Sequence, residues 1–348
     1  MVFNMNKKLY LESGYFNFEY MFNKPTPFNF CWGGRGTGKT FGVIQYLTLL
    51  REPFIYMRRM QSQADLVMND ELNPFKKPLK SLGYEFRCET LGKNVYGIMG
   101  HSAAETEDRL IAVCLALSTI SNVRGFDGYE FKYFVFDEFV PEAHARTIKH
   151  EADAFFNAYE TIDRNRQLEG QPALKLFAFS NSDNAVCPIF VSLRLLELVI
   201  GMQDHHESYL MLQDRGISLY NLCDSPISEM KSETALYKAV GEKSAFTSMA
   251  LANEFQNLDR GNVRSMPLKQ LTPIVNVGEI TIYRIKGRRE FYISPHKINA
   301  PVQFSASDID LQRFRAAFGY LWIDYLKYKV FSENLISEKI FLTYFKKS

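Results

Sequence analysis

Residues 33–40 place the tightest constraint on this chain, because they fit the phosphate-binding P-loop pattern at every position: Gly33, Gly34, Arg35, Gly36, Thr37, Gly38, Lys39 and Thr40. An apolar run, residues 28–32, precedes them and a helix-compatible stretch follows, so a strand, a loop and a helix are expected in that order. The glycines let main-chain N–H groups face the phosphates, and Lys39 reaches the β- and γ-phosphates. The Thr40 hydroxyl can bind Mg²⁺. The sequence therefore predicts that these eight residues bind a nucleoside triphosphate.

A second motif, residues 132–138, is an apolar strand that ends in Asp137 and Glu138, the form of a Walker B element. Asp137 is expected in the Mg²⁺ shell, and Glu138 is expected to orient and deprotonate the attacking water. A strand that simply emerges into solvent with two acids is the alternative, and the P-loop upstream weighs against it. The adjacent glutamate is typical of motor-type ATPases rather than of small-molecule kinases.

Polar and basic residues beyond these motifs complete the expected site. Asn181, with Ser180, ends the next apolar strand and is expected to lie between water and γ-phosphate; ordinary turn chemistry is the alternative. Motor ATPases often take a stabilising positive charge from a neighbouring subunit. Arg124, Arg164 and Arg166 are the candidates. The last two could instead complement the dipole of the helix predicted at 152–166, because they lie at its C-terminal end.

The alternation of short β-rich runs with helical patterns from residue 28 to about 200 predicts an α/β fold with a mostly parallel sheet. A hairpin insertion is expected at 84–99, and a helix at 189–198. We predict an ATPase domain at 1–228, a helical linker at 229–262, and a compact α+β domain at 263–348 with a helix at 308–328.

Charge is unevenly distributed along the 348 residues. Residues 256–348 hold 15 Lys and Arg against 8 Asp and Glu, a net +7, which leaves 26 against 31, a net −5, for the first 255. A basic C-terminal part suggests a polyanionic partner, although ordinary surface lysines would explain it equally well. The five cysteines are scattered and read as free thiols, and no apolar run approaches membrane-spanning length. We therefore expect an intracellular protein without a transition metal or a membrane partner.

Five segments occur together in one order: 33–40, 54–59, 136–139, 163–166 and 179–181. As a set they resemble the genome-packaging ATPases, or encapsidation proteins, of small tailed phages with protein-primed linear double-stranded DNA genomes. The resemblance covers residues 28–190 and is only architectural beyond. It implies a P-loop NTPase of the additional-strand, catalytic-glutamate type, followed by a linker and a small ribonuclease-H-like domain that has lost nuclease activity.

The resemblance also implies a mode of action. The family forms a homo-oligomeric ring, here expected to be a pentamer, which docks on the portal of an empty prohead in the host cytoplasm and drives double-stranded DNA inward with ATP and Mg²⁺. A prohead RNA is an expected partner. Arg164 falls on the family's arginine-finger position, and Arg124 aligns with a second basic residue that acts between subunits, there a lysine. Glu138, Arg164, Arg124 and Lys39 are the expected catalytic residues.

A two-metal nuclease needs several carboxylates that converge on its metal ions, and the C-terminal domain has too few of them. We therefore expect no nuclease activity in this domain. Its candidate carboxylates are Glu279, Glu290, Asp308, Asp310 and Asp324. The basic turn at 286–289 suits contacts with a phosphate backbone. Two other hypotheses remain at this point. One is a different ring ATPase on nucleic acid, helicase-like or a terminase with active nuclease, and the other is a nucleotide-gated scaffold that does not turn over.

Overall fold

The chain divides into two compact units in a computed structural model: Met1–Ser192 with Gly201–Glu254, and Leu193–Ile200 with Phe255–Ser348. The structure describes residues 9–345 except 70, 124–127, 142–147, 149, 182–186, 228–229, 231–233, 236–263, 265, 297 and 328. Most of the predicted linker, 229–262, lies outside the described residues. The division into three parts therefore stays a prediction.

A nine-stranded sheet forms the centre of the first unit. Its strands are β1 (Phe28–Gly33), β2 (Phe54–Arg58), β3 (Tyr84–Gly92), β4 (Val95–Ser102), β5 (Arg109–Ala116), β6 (Tyr133–Asp137), β7 (Lys175–Ser180), β8 (Tyr209–Leu212) and β9 (Ile217–Leu222). Their order across the sheet is β3-β4-β5-β2-β6-β7-β1-β9-β8. The six strands that are adjacent in the order β5-β2-β6-β7-β1-β9 are all parallel to one another. On the two sides of this group, β3 and β4 and, opposite them, β8 pair antiparallel with their neighbours.

The central strands are apolar along their length because helices and loops cover both faces of the sheet. Strands β2, β6 and β7 are buried at nearly every position. The predicted mostly parallel α/β sheet is confirmed, and β3 and β4 form the predicted hairpin. Strand β7 lies between β1, which leads into the P-loop, and β6, which ends in the carboxylate pair. The additional-strand, catalytic-glutamate type of P-loop NTPase stays a prediction.

Among the described residues up to Asp204, the chain forms seven helices. They are α1 (Phe18–Phe22), α2 (Lys39–Leu49), α3 (Gln61–Ala64), α4 (Lys76–Ser81), α5 (Glu151–Asp163), α6 (Pro188–Ser192) and α7 (Leu196–Asp204). Short 3₁₀ segments span Asp65–Met68, Leu117–Val123, Gln213–Arg215 and Leu268–Gln270. The single helix predicted at 189–198 is wrong, because the chain turns through Arg194 at φ 51° between α6 and α7. The helix predicted to reach residue 166 ends at Asp163, so Arg164 and Arg166 follow it.

The second unit contains a mixed five-stranded sheet, ordered β13-β10-β11-β12-β14. Its strands are β10 (Leu271–Val277), β11 (Ile280–Ile285), β12 (Phe291–Ser294), β13 (Val302–Phe304) and β14 (Val330–Ser332), and its helices are α8 (Asp308–Phe318), α9 (Tyr320–Leu326) and α10 (Leu335–Phe345). Strands β10, β11 and β12 alternate in direction, whereas β13 and β14 run parallel to their neighbours. The ribonuclease-H-like character of this unit stays a prediction.

The helix predicted at 308–328 is two helices that meet at Gly319. A Cβ on Gly319 would lie 2.8 Å from the main-chain oxygen of Arg315, so only glycine fits where the helices join. All five cysteines are free thiols. Within the described part of the chain, no helix is long and apolar enough to cross a membrane.

Candidate ATP hydrolysis site

The P-loop connects β1 to α2, and the side chain of its lysine folds back onto the main chain of the loop. Gly36 and Gly38 adopt φ 69° and 93°, a left-handed conformation that glycine accepts without strain. Lys39 is only 4 % exposed, and its ammonium donates to the main-chain oxygens of Gly33 at 3.0 Å and Gly34 at 2.8 Å. A buried ammonium on carbonyl oxygens is a cation fixed at the base of the loop, where a phosphate would meet it.

The Asp137 carboxylate, at the end of β6, lies beside the first turn of α2. The Thr40 hydroxyl donates to it at 3.1 Å from both carboxylate oxygens. The buried Tyr56 hydroxyl donates to Oδ2 at 2.7 Å, and the Arg58 guanidinium donates to the same oxygen at 2.9 Å. A hydroxyl and a carboxylate side by side are hard oxygen ligands of the kind Mg²⁺ prefers. Thr40 and Asp137 therefore fit the predicted metal-binding role.

The next residue, Glu138, has φ 59°, a left-handed conformation that is uncommon for a non-glycine residue and is typical of functional sites. Its Oε2 accepts from Arg58 at 2.6 Å and from Gln63 Nε2 at 3.1 Å. Asn181 Nδ2 lies 3.5 Å from Oε1, the outer limit of a hydrogen bond. The structure thus brings Asn181 next to Glu138, and the predicted place of Asn181 between water and γ-phosphate stays a prediction.

Burial and charge act together on the two side chains from β2. Burial raises the pKa of the Tyr56 phenol well above its usual value, and the adjacent Asp137 raises it further. Burial lowers the pKa of the Arg58 guanidinium, but Tyr56, Asp137 and Glu138 outweigh this effect and the pKa is raised. Tyr56 is therefore a permanent hydrogen-bond donor and Arg58 a permanent cation against the two carboxylates.

Three of these residues, Tyr56, Arg58 and Gln63, were not in the predicted site. Arg58 forms ion pairs with both acids. Gln63 is fixed at the start of α3, where its Oε1 accepts from the main-chain N–H of Met60 at 3.0 Å. No sequence motif marks Gln63, because its role depends on α3 lying next to the end of β6.

The neighbouring arginine has a structural role. Arg59 is buried and forms a bidentate ion pair with Glu151, with Nε to Oε1 at 2.5 Å and an NH₂ to Oε2 at 2.8 Å. Because Glu151 begins α5, this pair ties the end of β2 to the helix that leads to Arg164. Of these two adjacent arginines, Arg58 therefore contacts the candidate site and Arg59 stabilises the fold around it.

The arginines after α5 also differ from each other. Arg166 is 4 % exposed and donates to the main-chain oxygens of Tyr129 at 2.6 Å and Phe131 at 2.7 Å, so it fastens the segment before β6. Arg164 is exposed and adopts φ 48° and ψ −132°, a region that glycine normally occupies. Arg124 lies outside the described residues. The catalytic roles of Arg164 and Arg124 stay predictions.

The predicted carboxylates of the second unit do not form one cluster. Glu279 lies in the turn between β10 and β11, and Glu290 directly precedes β12 near Arg264 and Arg288. Asp308 and Asp310 lie in the first turn of α8, and Asp324 lies in α9. The basic turn lines a surface cavity of about 510 Å³ with Arg284, Lys286, Arg288 and Arg289.

The fold and the P-loop together define a P-loop ATPase. The family model for the Podovirus DNA encapsidation protein (Gp16) matches residues 7–264, well over half of the chain. The chain belongs to this family, which confirms the resemblance to phage genome-packaging ATPases.

Two solved structures match nearly the whole chain. The Phi-28 gp11 DNA packaging motor is 19 % identical, with a TM-score of 0.62 over 96 % of this chain and 98 % of that one. The bacteriophage Phi-29 viral genome packaging motor assembly is 17 % identical, with a TM-score of 0.62 over 95 % of this chain and 98 % of that one. At these identities the likeness shows a shared fold. No curated protein sequence matches the chain.

Proposed function

We propose that this protein is an ATP-driven motor that moves viral double-stranded DNA into a preformed prohead as a homo-oligomeric ring. One observation carries the proposal: in a member of the DNA encapsidation family, Lys39, Asp137 and Glu138 converge at one edge of a parallel sheet. The parallel strands β1, β7 and β6 end at that edge, which is where ligands bind in open α/β sheets.

Each side chain then has a chemical role. Lys39 neutralises charge on the β- and γ-phosphates, and the loop's N–H groups orient them. Glu138 accepts a proton from the attacking water, and Asn181 helps to orient that water. Thr40 and Asp137 would hold Mg²⁺, which when bound supplies further charge neutralisation. Phosphoryl transfer needs little else from the protein, since positioning and electrostatics provide most of the rate enhancement.

Arg58 and Gln63 give this site an off state. The Glu138 Oε2 cannot accept a proton from water while it accepts hydrogen bonds from both side chains, and these bonds hold the carboxylate towards Arg58. Full hydrolysis in this proposal follows a rearrangement that separates Glu138 from Arg58. If DNA engagement drives that rearrangement, turnover occurs only when the motor holds its load.

The site also needs a cation close to the γ-phosphate. Arg164 is exposed at the end of α5, and we assign to it the role of a finger that completes the site of the adjacent subunit, with Arg124 as a second inter-subunit cation. The Phi-29 relative is a motor assembly. A pentameric ring on the prohead portal, in the host cytoplasm and in contact with a prohead RNA, is the arrangement we propose. The basic turn at 286–289 is the proposed contact with the nucleic-acid backbone.

The test is DNA-stimulated ATP hydrolysis by the full chain and its Glu138→Gln variant. The variant is expected to bind ATP normally and to hydrolyse it about 10²- to 10⁴-fold more slowly, because only the general base is lost. It should also fail to package DNA into proheads. Unchanged hydrolysis in the variant, or hydrolysis that DNA does not stimulate in the native protein, would remove the basis of this proposal.

A further inference from the structure

An N-terminal hook, residues 9–18, lies against the P-loop within the first unit. Tyr10 and Phe16 pair as an antiparallel bridge. The main-chain N–H of Leu11 donates to the oxygen of Tyr15 at 2.8 Å, and that of Asn17 donates to the oxygen of Leu9 at 2.8 Å. These bonds give the hook a defined geometry.

The hook meets the P-loop at two successive residues. The main-chain N–H of Phe16 donates to the oxygen of Thr37 at 2.9 Å. The Tyr15 ring approaches Gly38 so closely that its Cδ1 lies 3.2 Å from where a Cβ on Gly38 would be. Glycine at position 38 therefore serves both the positive φ of the loop and the close approach of this ring.

Tyr15 is exposed although the next residues are buried. Its exposed fraction is 44 %, whereas Phe16 and Phe18 are 2 % and 3 % exposed. Phe16 packs on Phe179 with ring centroids 6.5 Å apart, and Phe18 packs on Phe177 at 4.8 Å. Buried anchors after Tyr15 thus hold an open aromatic ring beside the loop, which reduces the entropy lost when a ligand covers it.

The sheet order shows which part of a nucleotide would meet this ring. Asp137 and Glu138 follow β6, on one side of β1, and the γ-phosphate must face them. The Gly14 end of the hook, next to Tyr15, lies towards the other side, because a Cβ on Gly14 would be 3.3 Å from Pro226, shortly after β9; beyond Tyr15 the hook crosses to β7, where Phe16 packs on Phe179. The α-phosphate, ribose and base of a nucleotide extend away from the γ-phosphate. The base is therefore directed to the side of the P-loop on which Tyr15 lies.

We propose that Tyr15 is the platform on which the nucleobase of the bound nucleoside triphosphate stacks. The proposal rests on the proposed function, since it requires triphosphate binding by the P-loop. An aromatic face attracts every base through stacking, and a purine covers more of the ring than a pyrimidine does. Tyr15 is thus a specificity-determining residue for purine over pyrimidine triphosphates, and it acts on binding rather than on the chemical step.

The experiment measures binding of Mg-ATP, Mg-UTP and inorganic tripolyphosphate to the full chain by calorimetry. Tyr15→Ala is expected to weaken ATP binding by about 5- to 100-fold, to weaken UTP binding less, and to leave tripolyphosphate binding unchanged. KM for ATP should rise by the same factor while kcat stays within about twofold. Tyr15→Phe and Tyr15→Trp should retain ATP binding, and tryptophan fluorescence in the latter should respond to ATP and not to tripolyphosphate.

Leu11→Ala is the matched control, because it removes another exposed side chain of the same hook, 50 % exposed, and should change none of these values. Equal loss of ATP and tripolyphosphate binding in Tyr15→Ala would show that Tyr15 only supports the loop, and would overturn the proposal. Unchanged ATP binding would overturn it as well. Both outcomes leave the Glu138→Gln test untouched, since calorimetric binding does not depend on hydrolysis.

Discussion

In the first unit, strands β2, β6 and β7 run parallel, and their last residues meet at one edge of the sheet. Arg58, Asp137 and Glu138 touch one another there. In the second unit, strands β10, β11 and β12 alternate in direction. Glu279 follows β10 and Glu290 follows β11, so the two carboxylates lie at opposite edges of that sheet.

The difference shows that strand direction, more than the number of charged residues, decides whether a sheet builds a reactive site. Parallel strands bring several carboxyl ends to the same edge, and loops after those ends converge. Antiparallel neighbours deliver successive strand ends to opposite edges. Hydrolysis should consequently depend on charges of the first unit, and charges of the second unit should affect only the binding of nucleic acid.

The largest expected effect on ATP hydrolysis comes from Arg164. This charged residue of the first unit follows α5 and does not lie at the end of a strand. Arg164→Gly should reduce hydrolysis by the assembled ring about 10³-fold or more, as expected for an arginine finger. The same change should raise the free energy of unfolding by about 1 kcal/mol, since glycine tolerates φ 48° and ψ −132° at this position. ATPase assays and denaturant unfolding measure the two effects.

A role between subunits makes a further demand on Arg164. Mixing Arg164→Gly with Glu138→Gln subunits should restore some activity, because an intact glutamate in one subunit can then face an intact arginine in the next. Rings that stay inactive at every mixing ratio would place Arg164 outside the neighbouring site.

Arg166 should give the opposite pattern, with stability as the main loss. Arg166→Ala leaves the main-chain oxygens of Tyr129 and Phe131 without their donor, and should lower the free energy of unfolding by about 3 kcal/mol. Arg284→Ala, a change on the exposed face of β11 in the second unit, is the control and should cost far less. A stable Arg166→Ala protein with no hydrolysis would instead favour Arg166 as the finger.

The off state predicts an intermediate effect. Arg58→Gln should lower the ratio of DNA-stimulated to basal hydrolysis about tenfold, since Glu138 loses a charged hydrogen-bond donor. Gln63→Ala removes a neutral donor at 3.1 Å, so the ratio should fall less. Steady-state rates with and without DNA measure both variants. An unaltered ratio in Arg58→Gln would mean that this contact does not restrain the glutamate.

The smallest effect on hydrolysis is expected in the second unit. Changing Lys286, Arg288 and Arg289 to alanine should leave ATP hydrolysis without nucleic acid unchanged. If all three side chains contact phosphates, the slope of log binding constant for DNA against log salt concentration should become less negative by up to about 2.7. Changing Glu279 and Glu290 to glutamine should alter neither quantity. Loss of basal hydrolysis in any of these variants would break the contrast between the two units.

Much of the ATPase unit could be predicted because its signals are local. A P-loop pattern, continuous apolar strands and carboxylates at strand ends depend on neighbours in the sequence, and the sheet, the hairpin and the convergence of Thr40 with Asp137 were predicted from them. Helix ends were less predictable. Arg164 lies just beyond α5, and Gly319 divides a helix whose apolar pattern is continuous, because contacts distant in sequence and backbone crowding set those positions.

The sequence by itself predicted nucleoside triphosphate binding and the two carboxylates expected to act on the nucleotide, because those functions require fixed residue types at fixed spacing. The tertiary structure decided what surrounds them. Only the folded sheet brings Arg58 and Gln63 to Glu138, buries Arg166 on main-chain oxygens, and sets the Tyr15 ring against Gly38. These contacts join segments that no local pattern relates, and packing alone selects them.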